Sequence, residues 1–129
     1  DQSRLGAMGY CFGGSTVIEL AMGGAPLAAA VSFHGGLDDL ALADAGRIKA
    51  RMLVCTGADD PLVPVDRVVD LQQAFRTGGV GDWQVVTFGN TKHSFTNRQA
   101  PDDDRMGYST LADERALATA TQWFRTAFG

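Results

Sequence analysis

Cysteine, histidine and basic charge are all scarce in this sequence, and each shortage narrows what the chain can be. Two cysteines, Cys11 and Cys55, stand among 129 residues. They could pair, but one bridge in a chain this size does not make a disulfide scaffold of the secreted kind. Free thiols and a cytoplasmic setting are the expectation. Lys and Arg number 11 against 15 Asp and Glu, a net charge of −4, and no basic patch forms along the chain. A nucleic-acid partner is therefore not expected. No apolar run approaches the roughly 20 residues that cross a bilayer, so no membrane partner is expected either. The start, Asp1 to Arg4, is polar and lacks an initiator Met. It has no signal-peptide pattern and, lying just before an apolar run, reads as the start of a cut or incomplete chain. Neither a repeat nor a low-complexity stretch is visible.

What is present is ordinary for a soluble globular chain: 45% apolar and 20% charged residues. The length suits one domain with one core over 1–129. Strand and helix patterns alternate. Arg4–Gly9 is a short apolar run ending in Gly. Phe12–Met22 is apolar nearly all round and reads as a buried helix stopped by Gly23 and Gly24. Ala28–Phe33 is a second strand, Leu40–Ile48 a weak helix and Arg51–Thr56 a third strand. Asp66–Thr77 places Val68, Leu71 and Phe75 on one helical face and closes at Gly78 and Gly79. Trp83–Phe88 is a fourth strand, and Gly89–Gly107 a long polar loop. Thr110–Phe128 is the last helix, opening with a capping box from Thr110 to Asp113 and carrying a stripe of Leu117, Ala120, Phe124 and Phe128. Continuous apolar strands separated by helices predict a mostly parallel α/β sheet of about four strands, covered on both faces. Such sheets place their sites at the C-terminal ends of the strands.

Three chemical groups fall at those ends. Gly9-Tyr10-Cys11-Phe12-Gly13-Gly14 joins the first strand to the buried helix. It is the small-x-nucleophile-x-small pattern of a nucleophile elbow, with Cys in the usual place of Ser. The strained turn demands small residues two before and two after the nucleophile, which Gly9 and Gly13 supply. The helix N-terminus behind Cys11 adds partial positive charge beside the sulfur. The amide of Phe12 is one candidate oxyanion donor. Read otherwise, Cys11 is a small buried residue in a Gly-rich turn. After the third strand come Asp59 and Asp60, either of which could orient an imidazole or simply cap an acidic turn. After the fourth comes His93. The order nucleophile, acid, histidine is that of α/β-hydrolases. His34, before Gly35 and Gly36, could line the site or hydrogen-bond within the core, and is the weaker choice for the base.

Taken together, the Cys11 elbow, Ser32-Phe33-His34-Gly35-Gly36, Gly57-x-x-Asp60-x-x-Val63-Pro64 and His93-Ser94-Phe95 resemble the dienelactone hydrolase family. The resemblance covers essentially the whole chain but only about the second half of that fold. It implies a triad of Cys11, Asp60 and His93, with Asp60 rather than Asp59 at the family's acid position. It implies Tyr10, His34, Phe95 and Arg98 as substrate contacts, and hydrolysis of a small ester or lactone through a thioester with no metal or organic cofactor. Members that bind a carboxylated lactone place Arg four residues after the histidine; here that residue is Asn97, with Arg98 one further on. The family's first strands would carry a second oxyanion donor, a glutamate that holds the resting thiol and another Arg. Without those strands Arg4–Gly9 is expected to be a sheet edge open to self-association. Two other readings remain at this stage. One is a non-catalytic half-domain. The other is a class I glutamine amidotransferase, whose histidine is followed two residues later by Glu, where this chain has Phe95.

Overall fold

The computed structural model describes residues 1–129, apart from the side chain of Gln2. Four strands, β1 (Gly6–Tyr10), β2 (Ala29–Phe33), β3 (Arg51–Gly57) and β4 (Trp83–Phe88), form one sheet in that order. All neighbouring pairs are parallel, with Tyr10 opposite Phe33, and Phe33 opposite Cys55. Three α-helices connect or follow them: α1 (Phe12–Met22), α2 (Val65–Gly78) and α3 (Thr110–Phe128). No helix is long and apolar enough to cross a membrane.

The unbroken apolar character of β2 and β3 has a simple cause. Successive side chains point to opposite faces, and helices cover both. Ala30, Met52 and Val54 face Val17, Ile18 and Met22 of α1 and Leu71 and Phe75 of α2. Val31, Phe33, Leu53 and Cys55 face Ala112, Ala116 and Ala120 of α3. β1 pairs with β2 alone among the described residues, so its other edge carries no strand in this chain.

Several expected boundaries shift, for local reasons. β1 begins at Gly6 and runs on to Tyr10, because register with Ala29–Phe33 carries the ladder to the elbow. The weak helix contracts to a 3-10 segment, Leu42–Arg47. The last helix is capped one residue earlier than the capping box places it. Ser109 is the N-cap, its hydroxyl accepting the Ala112 amide, while Asp113 accepts the Tyr108 hydroxyl at 2.8 Å. Its core-facing stripe is Ala112, Ala116 and Ala120, and Leu117 is 55% exposed. The small stripe lets the helix sit close on the sheet, and the larger Leu117 is displaced toward the strand ends.

Of the two glycines the elbow pattern names, Gly9 is required and Gly13 is not; the second requirement falls on Gly14. A Cβ on Gly9 would stand 2.2 Å from the Gly13 carbonyl oxygen, and one on Gly14 would stand 2.6 Å from Ser32 Oγ, whereas one on Gly13 meets nothing within 4 Å. Gly9→Ala should therefore cost at least about 1–3 kcal/mol, and Gly13→Ala a small fraction of that. Urea midpoints at unchanged slope check this; equal losses would show that the turn is not held by that contact.

Candidate active site

The sulfur of Cys11 is placed by the elbow itself. Cys11 has φ 52° and ψ −123°, a backbone conformation that L-residues avoid, just before the first turn of α1. Its amide donates to the Phe33 carbonyl at 3.0 Å, tying the turn to the end of β2. His34 (φ 42°) and Ser94 (φ 59°) are also in the left-handed region, and both touch the Cys11 sulfur at 3.3 Å. Three of the four non-glycine residues with positive φ thus converge on one atom. Strain of this kind persists only where the surroundings over-determine it.

Asp60 and His93 meet because two loops approach closely. A Cβ on Gly57 would lie 2.3 Å from the Thr91 carbonyl oxygen, so only glycine lets the β3 exit pass under the loop after β4. Asp60 is buried, and one carboxylate oxygen accepts the Leu62 amide at 2.9 Å. The other pairs with His93 Nδ1 at 2.8 Å. The neighbouring Asp59 is exposed. The long loop after β4 is polar in sequence yet pinned in place. His93 exchanges backbone hydrogen bonds with Arg105 and Gly107, and Lys92 Nζ bonds Asp102 at 2.7 Å. That bond raises the Lys92 pKa, and two backbone amides, of Met106 and Arg105, lower that of Asp103.

His34 lines the site, as its sequence position allowed, and it also meets the sulfur. It is buried at the sheet end, with Nε2 bonded to Thr96 Oγ1 at 2.8 Å. Its Nδ1 receives the Cys11 amide at 3.2 Å and stands 3.3 Å from the sulfur. An amide can only donate, so Nδ1 is the unprotonated nitrogen and Nε2–H donates to Thr96. The sulfur can then meet Nδ1 only as a thiol donor. Burial, then the nearby His93, push the His34 pKa down to about 4, with Asp60 and Asp113 opposing. His93 stands further off, a ring nitrogen of each histidine and the sulfur lying within 4.8 Å of one another. The resting thiol therefore leans on His34 and Ser94. Neither Ser94 nor Thr96 was singled out by any spacing rule. Cys11, His34 and His93 are also the residues here that could hold a metal ion.

A cavity of about 400 Å³ opens over the sulfur, lined by Tyr10, His34, Thr96, Asn97 and Leu117 among others. Tyr10 stacks on Phe33 with ring centres 4.9 Å apart, and burial, then Asp113, raise its pKa. Phe95 is a correction: it has no exposed surface and packs edge-on behind His34, 5.0 Å between ring centres. It backs the site and does not line the cavity. Arg98 is exposed and outside that lining, where Asn97 stands instead. Phe12 is 85% exposed, and its amide is a first-turn donor with no partner inside the helix. A second groove of about 480 Å³, between Arg51 and Trp123, is lined by no cysteine, histidine or serine.

Two measurements follow from this environment. Burial raises the Cys55 thiol to about 12 and leaves it no exposed surface, whereas Cys11 is partly exposed. Iodoacetamide should label Cys11 ~10²-fold faster or more; equal rates in folded protein would contradict the placement. For His34, the unfolded imidazole takes its proton near 6.5 and the folded one only near 4. Stability should then fall as pH drops from about 6.5 to 4, by about 3 kcal/mol, and this component should level off below. His34→Gln should lack this component when denaturant midpoints are compared at neutral and mildly acid pH.

A cysteine in a strained turn between strand and helix, an acid after a later strand and a histidine after the next have the arrangement of an α/β-hydrolase site. The parallel sheet beneath it is the same fold. The dienelactone hydrolase family model matches residues 1–128, and the chain belongs to that family. It is 27% identical over 99 residues to a carboxymethylenebutenolidase homolog of Mus musculus, covering 77% of this chain and 40% of that protein. Its human counterpart is 28% identical over the same coverage. A solved dienelactone hydrolase-like promiscuous phosphotriesterase from metagenomic libraries is 45% identical with a TM-score of 0.92, covering 100% of this chain and 54% of that one. The chain thus spans about half, or less, of the length of the proteins it matches.

Proposed function

We propose that this chain carries the nucleophile, acid and base of a carboxylic ester hydrolase that opens ester or lactone bonds of small molecules through a thioester on Cys11. The observation that carries this reading is the Asp60–His93 bond of 2.8 Å beside a cysteine held in a strained elbow. The same geometry separates the two histidines. A proton on His34 is disfavoured by burial, so His34 accepts a hydrogen bond but does not keep the proton. A proton on His93 Nε2 is balanced by the Asp60 carboxylate at Nδ1. The sulfur leaves its resting contacts with His34 and Ser94, and His93 takes its proton. The thiolate attacks the carbonyl carbon, and the Phe12 amide donates to the oxyanion. Collapse expels the alkoxide, which receives the proton from His93. Water, deprotonated by His93, then attacks the thioester, releasing the acid and restoring the thiol.

Tyr10 and Asn97 border the cavity where the acyl or alcohol part would lie. The test is peptide mapping of the protein quenched during reaction with p-nitrophenyl acetate. An acetyl group on Cys11 with Cys55 unmodified is expected. Steady nitrophenol release with the acetyl group only on other residues would overturn the reading.

A further inference from the structure

Each imidazole at the site has one nitrogen committed and one turned to other use. His93 gives Nδ1 to Asp60 at 2.8 Å, which leaves Nε2. His34 gives Nε2 to Thr96 at 2.8 Å, which leaves an unprotonated Nδ1 3.3 Å from the sulfur. An imidazole whose far nitrogen is fixed by a carboxylate or another polar group is the outer arrangement that orients histidine ligands at metal centres. The hydrolysis proposed above uses Cys11 and His93 and has no need of a second imidazole against the sulfur.

We propose that Cys11 Sγ, His34 Nδ1 and His93 Nε2 form a binding site for a thiophilic divalent cation, Zn²⁺ foremost, whose occupancy blocks the nucleophile. Tetrahedral zinc, with bonds of about 2.3 Å to sulfur and about 2.0–2.1 Å to nitrogen, sets these atoms about 3.5 Å apart. The sulfur and His34 Nδ1 stand at 3.3 Å, so that edge is already formed. A ring nitrogen of His93 lies within 4.8 Å of both other ligand atoms, so about 1 Å of side-chain movement closes the remaining edges. One thiolate and two imidazoles suit zinc or cadmium and do not suit the oxygen-seeking Mg²⁺ or Ca²⁺. Three protein ligands leave a fourth position for water, bordered by Ser94, whose hydroxyl is 3.3 Å from the sulfur. Binding forms one metal–sulfur and two metal–nitrogen bonds, releases the Cys11 proton to solvent and changes no oxidation state. The Cys11 amide gives up Nδ1 but keeps the Phe33 carbonyl at 3.0 Å, so the elbow stays closed.

Binding itself does not depend on the hydrolase reading; the blocking of turnover rests on it. Cd²⁺ titrated into the chelator-free protein tests the site through its thiolate-to-metal charge-transfer absorption, with Zn²⁺ as competitor. One equivalent is expected, with the band kept in Cys55→Ser and lost in Cys11→Ser. His93→Gln and His34→Gln should each weaken binding by at least ~10-fold, and Thr96→Val, which leaves all three ligands in place, by about 10-fold. The Thr96 variant keeps the test sound should His34→Gln fail to fold. Wild-type affinity in folded His93→Gln and Thr96→Val would overturn the site, showing a thiol binding alone. Turnover of p-nitrophenyl acetate in EDTA, with no cadmium band, would refute the metal site and leave the hydrolase standing. A three-ligand cadmium site in a protein with no turnover would do the reverse.

Discussion

Cys11→Ala should lower p-nitrophenyl acetate turnover by on the order of 10⁴-fold or more, the scale on which loss of a nucleophile acts when base and acid are left with nothing to activate. The sulfur is the only nucleophile that the elbow presents; Ser94 touches it at 3.3 Å, but Ser94 sits on the loop after β4, with no helix N-terminus behind it. The substitution removes one atom from a partly exposed position, so fold and stability should change little. Thermal midpoint and kcat/KM measured together separate the two effects. Loss of less than about 10-fold in a folded variant would mean that Cys11 does not form the intermediate.

Asp60→Asn should be nearly as damaging, lowering kcat by ~10³–10⁴-fold, while Asp59→Asn stays within about 2-fold of wild type. The reason lies in how fully the Asp60 carboxylate is used. One oxygen accepts the Leu62 amide and the other pairs with His93 Nδ1. An asparagine must keep its carbonyl toward the Leu62 amide, which turns its NH₂ toward His93. Nδ1 must then accept, the ring proton moves to Nε2, and the nitrogen facing the substrate can no longer act as a base. Asp59 is exposed and touches neither ring, so its charge is largely screened. A pH–rate profile checks the assignment, because a tautomer error lowers the whole profile whereas a lost charge alone would shift it. Comparable losses in the two variants would contradict the geometry.

The family assignment removes the amidotransferase reading, whose acid would stand at the position of Phe95, a core residue with no exposed surface. Much of the architecture was legible in residue order alone. Trp83–Phe88 and Phe12–Met22 form the elements their patterns predict, because a continuous apolar strand and a glycine-stopped apolar helix are local statements. The glycine spacing around Cys11 and the order of Cys11, Asp60 and His93 are equally readable along the chain.

Tertiary structure decided what depends on distant pairs. The partners of the resting sulfur lie 23 and 83 residues away, at His34 and Ser94, and only the register of β1 against β2 and the pinned loop after β4 bring them to it. Ser109 displaced the Thr110 cap because the chain enters α3 from a backbone bond to Phe95, which fixes where helical geometry begins. Phe95 went inward and Leu117 outward because the face each shows is set by the sheet and helix packed against it. Sequence by itself determined which chemical groups stand at the strand ends and in what order. The structure decided which nitrogen meets which atom, since hydrogen bonds are fixed within tenths of an ångström by contacts that no local pattern encodes.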